Sequence, residues 1–251
     1  MTNFDEYQTK YDHAVLSKRE DGVLEIRFHS DGGPLQWSMA AHKDCEGLFG
    51  DIADDPSVRV VIMTGTGDEF SGPNGALDET PAVPRISGEQ WDQIRKGAKD
   101  LLGHLLRIEA PVIAAVNGPA RRHAELPLLS DIVVASEQAT FQDTAHFISK
   151  TPPGDGQHVI LPLAMGINRA RYFLLTGQEI KADDAYRFGL ISEVVPHGTA
   201  LERAWELADL LMKQPPLVLR NSRLIMTQII KRDMHDFLEY GLNLEALAIV
   251  Q

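Results

Sequence analysis

Short apolar runs that alternate with helix-patterned segments constrain the fold of this chain more than any other feature. Residues 58 to 64 (VRVVIMT), 111 to 118 (PVIAAVNG), 131 to 136 (DIVVAS) and 190 to 195 (LISEVV) are short and mostly apolar, and read as buried strands. Helical spacing marks 40 to 53, 89 to 108 and 124 to 130. Past residue 157 come HVILPLAMG, then NRARYFLLTG closed by a glycine, then KADDAYRFG. Residues 14 to 28 form two apolar runs about a Glu-Asp-Gly turn, the pattern of a hairpin. Proline and glycine crowd 72 to 88, a loop suited to border a pocket. Two long helices, 199 to 213 and 216 to 249, finish the chain. Strand–helix alternation followed by helices predicts an α/β fold with a helical C-terminal extension.

Composition narrows the function. At 251 residues, 43% of them hydrophobic and 24% charged, the chain has material for one large unit, and no repeat or linker divides it. A net charge of -12 argues against nucleic acid as a partner, because phosphate binding wants clustered Lys and Arg. The single cysteine, Cys45, leaves no internal disulfide and no cysteine-based metal site, which points to the cytoplasm. The opening MTNFDEYQTKYDH lacks the apolar stretch of a signal peptide, and no run approaches the ~18 apolar residues of a membrane span. A soluble protein with no membrane partner is the expectation.

Chemistry concentrates in NGPARRH (117 to 123) and FQDTAHFISKTPPGDG (141 to 156). Each puts a histidine, His123 or His146, just behind a predicted strand, where a rigid sheet aims a side chain, and the second adds Asp155 between two glycines. Two imidazoles and a carboxylate make a general acid/base set that works near neutral pH. Taken singly, each has a structural explanation: a core histidine, or for Asp155 a turn or helix cap. No His-x-x-x-His or similar spacing occurs, so no metal and no cofactor are expected.

The pieces VRVVIMTGTGDEFSG, APVIAAVNGPA, SDIVVASEQATFQD, PPGDG and NRARYFLLTGQEIKADDAYRFGLISEVV resemble the crotonase, or enoyl-CoA hydratase/isomerase, superfamily over nearly the whole chain. The resemblance implies a crotonase-like ββα spiral, a superhelix, over residues 1 to 197. It also implies a helical trimerisation region over 198 to 251 and a homotrimer or a hexamer built as a dimer of trimers. Typical members carry F-S-A-G-A-D and N-G-x-A-x-G-G-G loops, whose backbone amides form an oxyanion hole for a thioester carbonyl. Here these loops read FSGPNGALD and NGPARRHAE, which brings Arg122, His123 and Ala124 into the place of glycines. Of the two glutamates that hydratases of the family use, the first has a neighbour in Glu125, in a loop one residue short. The second is replaced by His146.

This pattern resembles one branch in particular, 6-oxocamphor hydrolase and related β-diketone hydrolases. It rests on His42 in WSMAAH, His123, His146, Asp155, Glu245 in GLNLEALA and the aromatic Trp37. The branch implies hydrolysis of a carbon–carbon bond in a cyclic β-diketone by a retro-Claisen reaction, without coenzyme A. On that reading His146 activates water with Glu245 or Asp155 behind it, His123 stabilises oxyanion or enolate charge, and Trp37 lines the substrate pocket. Two other readings are an enoyl-CoA hydratase or isomerase acting on a thioester, and a non-catalytic ligand-binding homologue. The 72 to 90 loop, where the chain differs most, is expected to tune the substrate.

Overall fold

The computed structural model describes residues 2 to 72 and 85 to 250. After a short helix α1 (Phe4–Tyr7), β1 (Ala14–Lys18) and β2 (Val23–Phe28) form the expected antiparallel hairpin. Gly22 makes its turn at φ 100°, where an added Cβ would come within 2.5 Å of the Ser57 carbonyl oxygen. The chain continues through α2 (Met39–Ala53), β3 (Val60–Thr64), α3 (Gly88–Arg107), β4 (Val112–Val116), α4 (Glu125–Leu128), β5 (Ile132–Ser136) and β6 (Thr140–Phe141). Next come α5 (Gln157–Met165), α6 (Ile167–Thr176), β7 (Ile180–Lys181), α7 (Ala182–Phe188), β8 (Glu193–Val195), α8 (Ala200–Leu211) and α9 (Pro216–Ile249). Ser38 caps α2 through the Ala41 N–H, and Ser87 with Gln90 forms a reciprocal capping box on α3.

The main sheet runs β1-β2-β3-β4-β5-β8, parallel throughout apart from the first pair. Every residue of β3 and β4 is buried, as a sheet covered on both faces requires. Leu24, Ile26, Val61, Met63, Val112 and Ala114 join the core under α2 and α3. Their neighbours Val23, Val60, Ile62, Ile113 and Ala115 pack on the other side against Ala204, Leu207 and Ala208 of α8. The α/β reading therefore holds, with adjustments at the ends of elements. The strand expected from residue 58 begins at Val60, because Asp55 accepts the Ser57 N–H and holds 55 to 58 in a turn. LISEVV pairs only over its last three residues.

A second, narrow layer stacks beside the sheet. It links Gln36 to Gly72, Ser71 to Ala120 and Ala120 to Phe141 through parallel bridges, and Phe141 to Ile180 through the β6–β7 pair. Each turn of the chain thus gives one strand to the large sheet and one extended residue or two to the strip, which is a ββα spiral. No sequence periodicity marks segments this short.

Helix α9 returns across the molecule and is pinned twice. Arg223, fully buried, bonds Asp131 at 2.7 Å and the Leu105, Leu106 and Ile108 carbonyls at the end of α3. Farther along, Gly241 meets Gly154 backbone to backbone: a Cβ on Gly154 would sit 2.5 Å from the Gly241 carbonyl oxygen. No described helix is long and apolar enough to cross a membrane.

Candidate active site

The strip explains where the side chains gather. Trp37 follows Gln36, His123 follows Ala120 by three residues and His146 follows Phe141 by five, so successive turns of the spiral deliver their loops to one end of the layer. The Trp37 and His123 rings lie 4.0 Å apart centre to centre, and His42, on the first turn of α2, stands 6.0 Å from Trp37 and 5.9 Å from His123. The 72 to 90 loop expected at the rim falls largely outside the described residues.

His123 adopts φ 51°, a left-handed conformation uncommon for a residue with a Cβ. Its carbonyl accepts the Leu126 N–H as α4 begins, and its Nδ1 lies 2.5 Å from Oε1 of Glu125, a side chain with no exposed surface. Two backbone amides near this region are bonded within the fold: Gly72 N–H donates to the Leu35 carbonyl at 3.0 Å and Arg121 N–H to that of Ser71 at 2.8 Å.

His146 is set by a residue the sequence reading passed over. Asp143 accepts the backbone N–H groups of Ala145 and His146 at 3.1 and 3.2 Å, an Asx-type turn, and its two oxygens lie 2.7 and 2.9 Å from Nδ1 of the ring. The available signal was Asp-x-x-His within FQDTAHF, a spacing that one turn of backbone closes. On the other side of the ring, Nε2 is 3.4 Å from Oδ2 of Asp155 and 3.8 Å from Oε1 of Glu245. Asp155 Oδ2 is also 3.7 Å from Nδ1 of His123, so one carboxylate spans both imidazoles. It caps nothing: Gly156, at φ 105°, is the N-cap of α5. The sequence-derived set His42, His123, His146, Asp155, Glu245 and Trp37 is thus brought together, and Glu125 and Asp143 join it. His104 instead bonds the Glu46 carbonyl, and His158 the Phe237 carbonyl, in packing roles.

Burial and charge drive these groups apart. Burial lowers His42 and His123 to about 4, which keeps both rings neutral near pH 7. Burial also opposes charge on His146, but Asp155, Asp143 and Glu245 outweigh it and raise the ring to about 10. Desolvation raises Asp155 to about 6 and Glu125 and Glu245 to about 8. A site with a cationic imidazole, neutral imidazoles and carboxyls on both sides of neutrality can take and return protons.

His123, Glu125 and Asp155 bring ligand-type atoms within 4.8 Å of one another. The hydrogen-bonded Nδ1 and Oε1 are 2.5 Å apart. Two donors about 2.0–2.1 Å from a single tetrahedral ion stand on the order of 3.3 Å apart, so this pair as placed fits a shared proton better than a shared metal.

The enoyl-CoA hydratase/isomerase family model matches residues 18–246. A probable peroxisomal enoyl-CoA hydratase 1 from Arabidopsis thaliana is 30% identical over 229 residues, 90% of this chain and 83% of that protein. Among solved structures, a β-diketone hydrolase from the cyanobacterium Anabaena sp. PCC 7120, bound to (S)-3-oxocyclohexyl acetic acid, is 40% identical with a TM-score of 0.89, over 97% of this chain and 96% of that one. An enoyl-CoA hydratase/isomerase from Mycobacterium paratuberculosis shares the fold at 24% identity, with a TM-score of 0.84 over 96% of this chain and 94% of that one.

Proposed function

This chain belongs to the enoyl-CoA hydratase/isomerase family, the crotonase superfamily, and within it we propose that it is a carbon–carbon bond hydrolase that cleaves a cyclic β-diketone to a keto acid without coenzyme A. The observation that carries this reading is the buried His146, held by Asp143 on one nitrogen and faced by Asp155 and Glu245 on the other, opposite a neutral His123. The likeness to a β-diketone hydrolase supports it independently.

The chemistry follows from these positions. A water held by Glu245 loses a proton to Nε2 of His146 in molecules whose ring has first passed its own proton to Asp155, 3.4 Å away, a transfer that the pKa order of about 10 against about 6 opposes and that exposes a strong base. The hydroxide oxygen bonds one carbonyl carbon, and the electron pair of that carbonyl moves onto its oxygen. Collapse restores the C=O and breaks the bond to the carbon between the two carbonyls, whose pair becomes an enolate on the second carbonyl. His123 donates a hydrogen bond to that charged oxygen. His146 or Asp155 returns the proton to carbon, so one water has been added overall. Trp37 covers the His123 ring and supplies an apolar wall.

Purified protein is expected to consume cyclic β-diketones, read as loss of their ultraviolet absorbance and release of a keto acid. The competing thioester reading is motivated by the names of curated relatives. Acyl-CoA turnover with no diketone cleavage across a panel of ring sizes would establish it and sink ours. Inactivity of both the wild type and His146→Ala toward every member of either panel would favour a binding protein.

A further inference from the structure

We infer that Glu125 is a positioning residue for His123: its protonated carboxyl donates to Nδ1 and so holds the ring in the tautomer that carries hydrogen on Nε2, the nitrogen left for substrate. The inference rests on the hydrolase reading only for what that donor serves, because the tautomer belongs to the free protein.

The geometry leaves few arrangements. Nδ1 and Oε1 are 2.5 Å apart, so a hydrogen lies between them. If it came from Nδ1 with the carboxyl ionised, Nε2 would be a bare acceptor and could not stabilise a developing oxyanion. Glu125 would then be a carboxylate with no exposed surface whose second oxygen, Oε2, has no protein hydrogen-bond partner. If the hydrogen belongs to the carboxyl, Nδ1 accepts it and Nε2–H is the free donor. Transfer of that proton onto the ring leaves Nε2–H in place. One proton beyond the neutral ring's own is therefore enough to keep a donor on Nε2, which makes no hydrogen bond to any described residue.

The surrounding charges divide. The Glu125 backbone N–H, His146, the Gln157 amide and Arg122 favour an ionised Glu125, whereas Asp143 and Asp155 oppose it. Desolvation is the largest influence and raises the carboxyl to about 8, while the ring, lowered to about 4, stays neutral. The strained backbone at His123, φ 51°, places its ring two residues from the acid and against Trp37, an arrangement that the hydrogen bond to α4 helps to hold. A glutamate near the position where hydratases of the family carry a catalytic one serves here behind a histidine that does the contacting.

Ring-15N-labelled histidine protein, observed through two-bond 1H–15N correlations, reports the tautomer directly, with His123 assigned by loss of its signals in His123→Gln. We expect Nε2 protonated and Nδ1 an acceptor at pH 7, inverting to Nδ1–H as pH rises through about 8. Glu125→Gln, whose amide can donate to Nδ1 but does not ionise, should keep Nε2–H and lose the inversion, whereas Glu125→Leu should give a mixture. On a diketone cleaved by the wild type, Glu125→Leu should lower kcat about 10²-fold and Glu125→Gln about 10-fold or less. Hydrogen on Nδ1 in the wild type at pH 7, or an inversion that survives in Glu125→Gln, overturns the inference even if Glu125→Leu does not fold. A correct tautomer with no diketone cleaved leaves it standing and removes the hydrolase reading alone.

Discussion

Two imidazoles in one buried site are pushed in opposite directions by what touches their nitrogens. His146 lies among Asp143, Asp155 and Glu245 and holds its proton; His123 has a neutral acid behind it and does not. Asp143→Asn keeps the shape of that side chain but removes the charge on Nδ1, and should lower kcat by about 10²- to 10⁴-fold, measured on the best diketone. The same opposition has a pH signature. His146 is raised in the folded state, so its contribution to stability is complete below about pH 6.5 and is lost as pH rises toward about 10. His42 is lowered, so its contribution is present above about 6.5 and is lost as pH falls toward about 4. Urea titrations should show the wild type losing ground to His146→Gln on the alkaline side and to His42→Gln on the acid side; parallel pH profiles would contradict this account.

At the scale of elements, the site depends on how closely helix α9 can lie on the Gly154-Asp155-Gly156 turn. A Cβ on Gly241 would come within 2.8 Å of the Gly154 carbonyl oxygen and would overlap the His158 ring. Gly241→Ala should therefore lift the helix and withdraw Glu245, four residues on, from His146. The expected cost is about 1–3 kcal/mol of stability by overpacking and about 10²-fold in kcat from a displacement near 1 Å. Denaturant titration and steady-state kinetics on the same preparation test both, and a destabilised variant with unchanged kcat would detach the helix from the chemistry. The second-layer strip matters in the same way, because it brings the loops carrying Trp37, His123 and His146 to one edge.

For the whole molecule, the apolar side chains left exposed raise the question of assembly. Leu210, Leu217, Ile225, Met226, Tyr240 and Leu247 are between 56% and 81% exposed on α8 and α9, large apolar side chains that a partner surface would cover. We propose that these two helices pack against further copies of the chain in a homotrimer, or in a hexamer made of two. Sedimentation equilibrium should return three or six times 27.8 kDa, and a monomer at micromolar concentration would count against the assembly.

The sequence alone determined the layered α/β architecture, since runs of apolar residues four to eight long must be buried as strands and helical spacing must cover them. It also named six of the side chains that the fold brings together: His123 and His146 depart from the family motif, and His42, Trp37, Asp155 and Glu245 come from the resemblance to the β-diketone hydrolase branch. Asp143 and the state of Glu125 were out of its reach: an aspartate three residues before a histidine is common, and whether a carboxyl keeps its proton depends on water being excluded from every side. That exclusion comes from α4, the Gly154–Gly156 turn and the returning helix α9, segments far apart in the chain that only the folded protein brings within a few ångströms of one another.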